Sequence, residues 1–186
     1  MKTIIRKLFM NYEKEEAWLN QMAAKGLAFE NYTPTRYVFE DSQPGEYIYR
    51  IELLDKLPSR PESQKYLHFM EENGVEFIAS YLRWVYFRKK AADGAFDIYS
   101  DIDSKLKHYR RVNQLWLTLG CVLLVLGLVY IVMGIIASLQ NDFPMDSAVG
   151  LGVGVGLCVV SLVFFIMSHP FRKKIKKLKK DKIVTE

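Results

Sequence analysis

Two long uncharged apolar runs in the C-terminal half constrain the fold of this chain more than any other feature. The runs cover Leu115–Leu139 and Ala148–Met167, and the short polar segment Gln140–Ser147 separates them. Because an α-helix rises about 1.5 Å per residue, the runs reach roughly 37 Å and 30 Å, enough for a hydrocarbon core of about 30 Å. Core helices of soluble proteins are rarely apolar on every side for such a length. The sequence therefore predicts a transmembrane hairpin.

Basic residues around the hairpin predict its orientation. They lie before the first run and crowd the segment after the second, whereas the connecting segment contains Asp142 and Asp146 and no basic residue. The positive-inside rule places such basic flanks in the cytoplasm. We therefore expect a multi-pass protein of the cell membrane, with two spans and with both termini in the cytoplasm.

This organisation divides the chain into six segments. They are a cytoplasmic domain (1–99), a membrane-proximal helix (100–114), a first transmembrane helix (115–139), an extracellular loop (140–147), a second transmembrane helix (148–169) and a basic cytoplasmic tail (170–186). Residues 1–103 hold 14 basic and 17 acidic residues, and residues 104–186 hold 12 and 4. The basic character thus belongs to the membrane flanks, so we expect no direct nucleic-acid binding.

The N-terminal half alternates strand and helix patterns. One helix is predicted between Asn11 and Gly26, with Glu15 and Glu16 favouring the positive end of its dipole, and a second between Ser59 and Gly74. The order strand, helix, two or three strands, helix, strand is typical of a split βαβ arrangement. The predicted fold class is α+β: a ferredoxin-like antiparallel sheet covered on one face by two helices, then the transmembrane hairpin. No internal repeat is apparent.

Aromatic residues of the predicted strands form a candidate partner surface. A split βαβ sheet leaves one face open unless a ligand or partner covers it, and aromatic residues there would form a recognition surface. The alternative is that some belong to the ordinary core and the others pack beneath the membrane-proximal helix. The candidate residues are Tyr47, Tyr49, Tyr81, Trp84 and Tyr86.

Glycines recur at helical spacing in both apolar runs. The candidate helix-packing residues are Gly120, Gly127, Gly134, Gly150 and Gly154. Residues seven apart share a stripe of a helix, and small residues let membrane helices approach closely. Three interpretations stay open: packing within the hairpin, packing against another copy in a homo-oligomer, or the general frequency of glycine in membrane helices.

Eight basic residues follow the second run. Arg172, Lys173, Lys174, Lys176 and Lys177 are the candidate lipid-facing residues. Each charge near an anionic leaflet contributes on the order of 1 kcal/mol, which predicts a tail lying along the inner leaflet. A solvated flank that stops translocation is the simplest interpretation of these charges, and a specific lipid or nucleic-acid site is the further alternative.

No arrangement of catalytic, cofactor-binding or metal-ligating residues emerges. Both cysteines, Cys121 and Cys158, lie inside the apolar runs, and the sequence has no phosphate-binding glycine loop, nucleophile elbow or zinc-ligand spacing. Asp97, Asp101 and Asp103 are better explained by helix capping than by a cation site. We therefore predict a protein that is not an enzyme and that uses no cofactor and no metal.

Several stretches resemble a bacterial family defined as domain of unknown function 2812. The resemblance lies in Glu16–Gly26, Tyr37–Glu40, Pro44–Arg50, Trp84–Lys89 and Ile98–Lys105. It implies a cytoplasmic domain followed by membrane helices. The family is expected mainly in Gram-positive bacteria, where its genes often lie next to those of PadR-type transcriptional repressors. It implies a regulatory partnership and assigns no catalytic residue.

These observations favour a membrane-anchored cytoplasmic sensing or interaction module that binds a regulatory protein, such as a transcription factor. An acidic domain could hold a basic DNA-binding partner at the membrane. An accessory subunit of a membrane transporter complex is the second hypothesis, with the glycine stripes contacting a larger membrane protein. A lipid-facing enzyme is the third, and it would need a titratable pocket that the sequence does not supply.

Overall fold

The computed structural model describes residues 2–99, 101–139 and 144–185. The chain forms two compact units, Met1–Asp101 and Ile102–Glu186. The first unit is an α+β domain, and the second consists of two long apolar helices. The fold class predicted from the sequence is therefore confirmed.

The α+β domain contains six strands and two α-helices. Its first half contains β1 (Lys2–Arg6), α1 (Tyr12–Ala24), β2 (Leu27–Thr33) and β3 (Arg36–Asp41). Its second half contains β4 (Tyr47–Leu53), α2 (Pro61–Glu72), β5 (Glu76–Tyr81) and β6 (Trp84–Lys90). The strands pair antiparallel in two three-stranded sheets, in the orders β1-β3-β2 and β4-β6-β5. This corrects the prediction of a single ferredoxin-like sheet covered on one face by both helices.

The domain consists of two β-α-β-β units that have the same topology. The two halves, residues 2–41 and 47–90, have the same strand order, and we call them the first and second repeats. The second strand of each repeat has a bulge directly after a phenylalanine, Phe29 or Phe77, which is opposite Phe39 or Phe87. Both pairs of equivalent residues are 48 positions apart. The structure thus reveals a repeat that is not apparent in the sequence.

The helices of the two repeats share some of their core-facing residues as well. Leu19 and Met22 of α1 correspond to Leu67 and Met70 of α2 at the same separation of 48 residues. Both helices are followed within two residues by a glycine of positive φ. Identity between the repeats is therefore concentrated at core and turn positions, where packing and backbone conformation restrict the residue type.

The second sheet is covered on both of its faces. One face packs against α1 through Tyr49 and Tyr86, and the opposite face packs against α2 through Val85 and Phe87. The first sheet packs against α1 with one face, and Ile4 on its other face is half exposed. Helix α1 therefore lies between the two sheets, whereas α2 lies on the outside of the second.

The second unit is an antiparallel helix pair. Helix α3 (Ile102–Leu139) contains the predicted membrane-proximal and first transmembrane helices without a break. Helix α4 (Pro144–Thr185) contains the predicted second transmembrane helix and the basic tail. Both are long and apolar enough to cross a membrane. Residues 140–143 of the predicted extracellular loop lie outside the described residues.

Candidate interaction surfaces

Two polar side chains of α1 hydrogen-bond to the outer edge of β4. Asn20 donates its Nδ2–H to the Tyr49 carbonyl oxygen over 3.0 Å, and its Oδ1 accepts the Tyr49 N–H over 2.9 Å. One turn earlier, Glu16 Oε2 accepts the Ile51 N–H over 2.9 Å. Because β4 is an edge strand, these backbone groups have no partner strand on that side. Helix α1 thus takes the place of a neighbouring strand.

A buried carboxylate connects the two sheets. Glu15 Oε1 accepts hydrogen bonds from the Tyr37 hydroxyl of the first sheet at 2.6 Å and from the Tyr86 hydroxyl of the second at 2.7 Å. Burial raises the pKa of Glu15, and the two hydroxyl donors oppose that rise. Burial likewise raises the pKa of Glu16. Both carboxylates, which the sequence presents as first-turn dipole partners, therefore make contacts inside the domain.

The aromatic residues predicted to form a partner surface are mostly internal. Tyr49 and Tyr86 are 0% and 3% exposed in the core beneath α1. Tyr47 and Trp84 pack at the margin of the same core, and Tyr81 is exposed at the end of β5. The expectation of an open aromatic face is thus corrected, because α1 covers the sheet face that a single split βαβ unit would leave open.

The equivalent face of α2 is exposed. Gln64 and His68 occupy the positions that Glu16 and Asn20 hold in the first repeat. They line an open groove of about 440 Å³ together with Lys65, Leu67, Glu71 and Phe77. We call the exposed residues Gln64, Lys65, His68, Glu71 and Glu72 the α2 outer face. It is a polar helix surface, and sequence periodicity could not distinguish it from the equivalent surface of α1.

Glycines lie where α3 and α4 are in closest contact. A Cβ built on Gly127 would be 2.9 Å from the Gly154 carbonyl oxygen, and one built on Gly154 would be 2.7 Å from the Gly127 carbonyl oxygen. Gly120, Gly134 and Gly150 face the opposite helix in the same way. All five candidate helix-packing residues are thus in the contact within the hairpin, whose backbones could not approach so closely around larger residues.

The basic tail continues α4 as a helix beside the start of α3. The Lys174 ammonium lies 5.3 Å from the centre of the Tyr109 ring, and Lys182 forms an ion pair with Asp103 at 2.8 Å. At about 1.5 Å per residue, Lys182 is roughly 22 Å along the helix beyond Met167. The structure therefore shows the tail as a helix that continues from the apolar run. Lipid contact stays a prediction for the five candidate residues, Arg172, Lys173, Lys174, Lys176 and Lys177.

Within the described residues, no group of His, Cys, Asp and Glu side chains is arranged to hold a metal ion.

A model of the family described as "Protein of unknown function (DUF2812)" matches residues 11–121, more than half of the chain. The chain belongs to this family. The DUF2812 match begins at Asn11, the N-cap of α1, includes the whole second repeat and ends within α3. No curated protein and no solved structure matches the chain.

Proposed function

We propose that the chain is a membrane-anchored cytoplasmic module, without catalytic activity, that binds a regulatory protein partner such as a transcription factor. The observation that carries this proposal is the difference between the two helices of the domain. Helix α1 hydrogen-bonds to the edge of β4 through Glu16 and Asn20. The equivalent positions of α2 belong to the exposed α2 outer face. A partner could therefore pack one of its own helices or strands against the α2 outer face.

Two features support the choice of partner. Residues 1–103 are acidic overall, with 17 acidic and 14 basic residues, so they suit a protein whose own surface is basic, as in DNA-binding proteins. The resemblance to a family whose genes often accompany PadR-type repressors points to a regulator of that class. The two apolar helices would then hold the complex at the cytoplasmic side of the cell membrane.

Co-purification from detergent-solubilised membranes tests the proposal. We expect a PadR-type regulator encoded beside this gene to be recovered with the full-length chain. Replacing Gln64, His68 and Glu71 together with alanine should lower recovery about tenfold, which corresponds to a loss of about 1.4 kcal/mol of binding free energy. Gln21→Ala, at an exposed position of α1, is the control and should leave recovery unchanged.

Two outcomes would contradict the proposal in different ways. If the regulator is recovered equally with the triple variant and with the control, the α2 outer face is not the binding surface. If no regulator is recovered with a chain whose domain remains folded, the regulatory partnership itself is rejected.

A second candidate function, an accessory subunit of a membrane transporter complex, is favoured by one observation in the hairpin. Gly152 and Gly156 of α4 have open space where a Cβ would lie, so they form a small-residue surface directed away from α3. Such a surface is suited to close packing with another membrane helix.

The matched pair Gly152→Leu and Gly127→Leu separates the hairpin contact from a contact with a larger protein. Gly152→Leu should abolish transporter association without changing hairpin packing, measured by disulfide crosslinking between α3 and α4. Gly127→Leu should disrupt the hairpin itself, at a cost of about 1–3 kcal/mol for overpacking. Unchanged association in the Gly152→Leu variant would reject the accessory-subunit function.

A further inference from the structure

The connections that precede both helices of the α+β domain lie next to its hairpin turns. In the first repeat, the Lys7 N–H of the β1–α1 loop donates to the Thr35 carbonyl oxygen of the β2–β3 turn over 2.9 Å. In the second, the Leu54 N–H of the β4–α2 loop donates to the Arg83 carbonyl oxygen of the β5–β6 turn over 2.8 Å. Each repeat thus has its helix-entry loop and its hairpin turn at one end.

The two repeats place these connections at the same end of the domain. The ring of Tyr12, the first residue of α1, lies 5.3 Å from that of Trp84, the first residue of β6. The Tyr32 and Tyr81 rings, near the turns of the two hairpins, are 5.9 Å apart. We call this region the loop end, and it consists of residues 6–11, 33–36, 54–60 and 81–84.

Charge is strongly segregated at the loop end. It has one acidic residue, Asp55, and six basic residues: Arg6, Lys7, Arg36, Lys56, Arg60 and Arg83. The other residues between 1 and 103 include 8 basic and 16 acidic residues. Lys56 is paired with Glu62 at 2.6 Å. The positive ends of both helix dipoles point to this end, and Glu13 and Glu62 in the first helical turns offset part of their potential. An acidic domain therefore has one basic end.

Large apolar side chains are exposed at the same end. Seven are exposed on the described part of the domain, and five of them belong to the loop end: Leu8, Met10, Leu57, Tyr81 and Leu82. Leu82 is 66% exposed and has a φ of +55°, in a region that residues other than glycine, asparagine and aspartate rarely occupy. Neither burial nor backbone conformation favours leucine at this position, so its apolar side chain is suited to a contact outside the domain.

We propose that the loop end binds the surface of an anionic bilayer. Leu8, Met10 and Leu82 would enter the boundary between headgroups and acyl chains, and the basic residues would lie beside lipid phosphates. Apolar side chains flanked by Lys and Arg are the combination with which proteins bind such surfaces. Nucleic acid would use the charges but would give no role to the exposed leucines and methionine. The proposal depends on the membrane anchoring proposed above, which holds the domain beside one leaflet.

An environment-sensitive fluorophore attached to single cysteines of the full chain tests this contact. In a Cys121→Ala, Cys158→Ala background, labels are placed at Leu82→Cys in the loop end and at Phe69→Cys, an exposed position of α2. The chain is reconstituted in phosphatidylcholine alone or mixed with phosphatidylglycerol in equal parts, each with a quencher attached to the acyl chains. We expect quenching at position 82 in the anionic bilayer, with little in phosphatidylcholine, and little at position 69 in either.

A charge variant and its control measure the electrostatic part. Arg36→Gln with Arg60→Gln should lower the ratio of bound to unbound loop end about 30-fold, the effect of about 1 kcal/mol for each of two charges. Lys89→Gln with Lys90→Gln, at the opposite end of β6, should leave that ratio unchanged.

A third label separates this proposal from the anchoring on which it depends. A label at Val129→Cys in α3 reports whether the hairpin is inserted. Quenching at position 129 with none at 82 in the anionic bilayer, or equal quenching at 82 and 69, would overturn lipid binding by the loop end. Absence of quenching at 129 would overturn the anchoring. Protection of the 82 label by duplex DNA in place of lipid would assign the loop end to nucleic acid and also reject the proposal.

Discussion

The two β-α-β-β repeats have the same strand order and the same bulge, yet α1 is an internal helix and α2 an external one. A few equivalent positions account for this difference. Asn20 binds the edge of β4, whereas His68 is exposed. Ala23 is 3% exposed in the core, whereas its equivalent, Glu71, lies on the surface. Two repeats can therefore share a fold while their helices make different contacts.

The two sheets also differ in whether both of their faces are covered. Tyr86 of the second sheet is buried against α1, whereas its equivalent in the first sheet, Val38, lies on the outer face with the exposed Ile4. Terminal units of repeat proteins characteristically have polar outer faces, because no further unit covers them. The first sheet and α2 are the two ends of a stack of two repeats.

The largest effect is expected from the glycines that follow the two helices. Gly26 and Gly74 have φ values of +80° and +76°, so alanine is strained at both by about 1–2 kcal/mol. A Cβ at Gly26 would also lie 2.8 Å from the Ser42 carbonyl oxygen, whereas one at Gly74 meets open space. Gly26→Ala should therefore destabilise the domain by about 1–3 kcal/mol more than Gly74→Ala. Urea unfolding of the full chain in detergent measures this difference, and equal losses would contradict it.

An intermediate effect is expected at the helix positions that distinguish the repeats. Asn20→Leu removes the acceptor of the partly buried Tyr49 N–H and should cost about 2 kcal/mol of unfolding free energy. His68→Leu, at the equivalent exposed position, should change it by less than about 0.5 kcal/mol. Hydrogen exchange of the Tyr49 amide provides a second readout, because it should accelerate in the first variant only. Similar stabilities for the two variants would show that α1 does not hold β4.

The smallest effect is expected at the buried carboxylate. Because burial raises the pKa of Glu15 above its unfolded value near 4.5, the folded domain retains this proton to higher pH than the unfolded chain does. Stability should therefore be greatest below the unfolded pKa and fall as pH rises through the folded pKa. Glu15→Gln keeps an oxygen acceptor for Tyr37 and Tyr86 and should reduce that fall.

Unfolding at pH values from about 4 to about 8 checks the sign. Some decline should persist in the Glu15→Gln variant, because burial raises the pKa of Glu16 as well. Ser63→Ala, at the equivalent buried position of α2, is the control and should keep the pH dependence of the natural chain. A steeper fall in the Glu15→Gln variant would contradict the assignment.

Local patterns in the sequence were sufficient for the elements and insufficient for their pairing. Apolar periodicity predicted both helices of the domain, and Asn11 predicted the start of α1, since these signals lie within one element. Ser59 was wrong as the cap of α2, which begins after Arg60 and has no side-chain cap. The grouping of six strands into two sheets depends on contacts between distant residues, such as Tyr86 with Glu15. Tyr49 and Tyr86 were expected on an open face for the same reason, since alternation shows that a strand has two faces but not what covers each.

The sequence by itself determined that the chain has an α+β domain followed by two helices long and apolar enough to cross a membrane, because length, hydropathy and periodicity are local properties. Only the tertiary structure decided that α1 is covered and α2 is not, and that basic residues far apart in the chain, such as Arg6 and Arg83, lie at one end of an acidic domain. The physical reason is that burial and electrostatic potential depend on distances in space, and folding sets those distances between residues that sequence separation leaves unrelated.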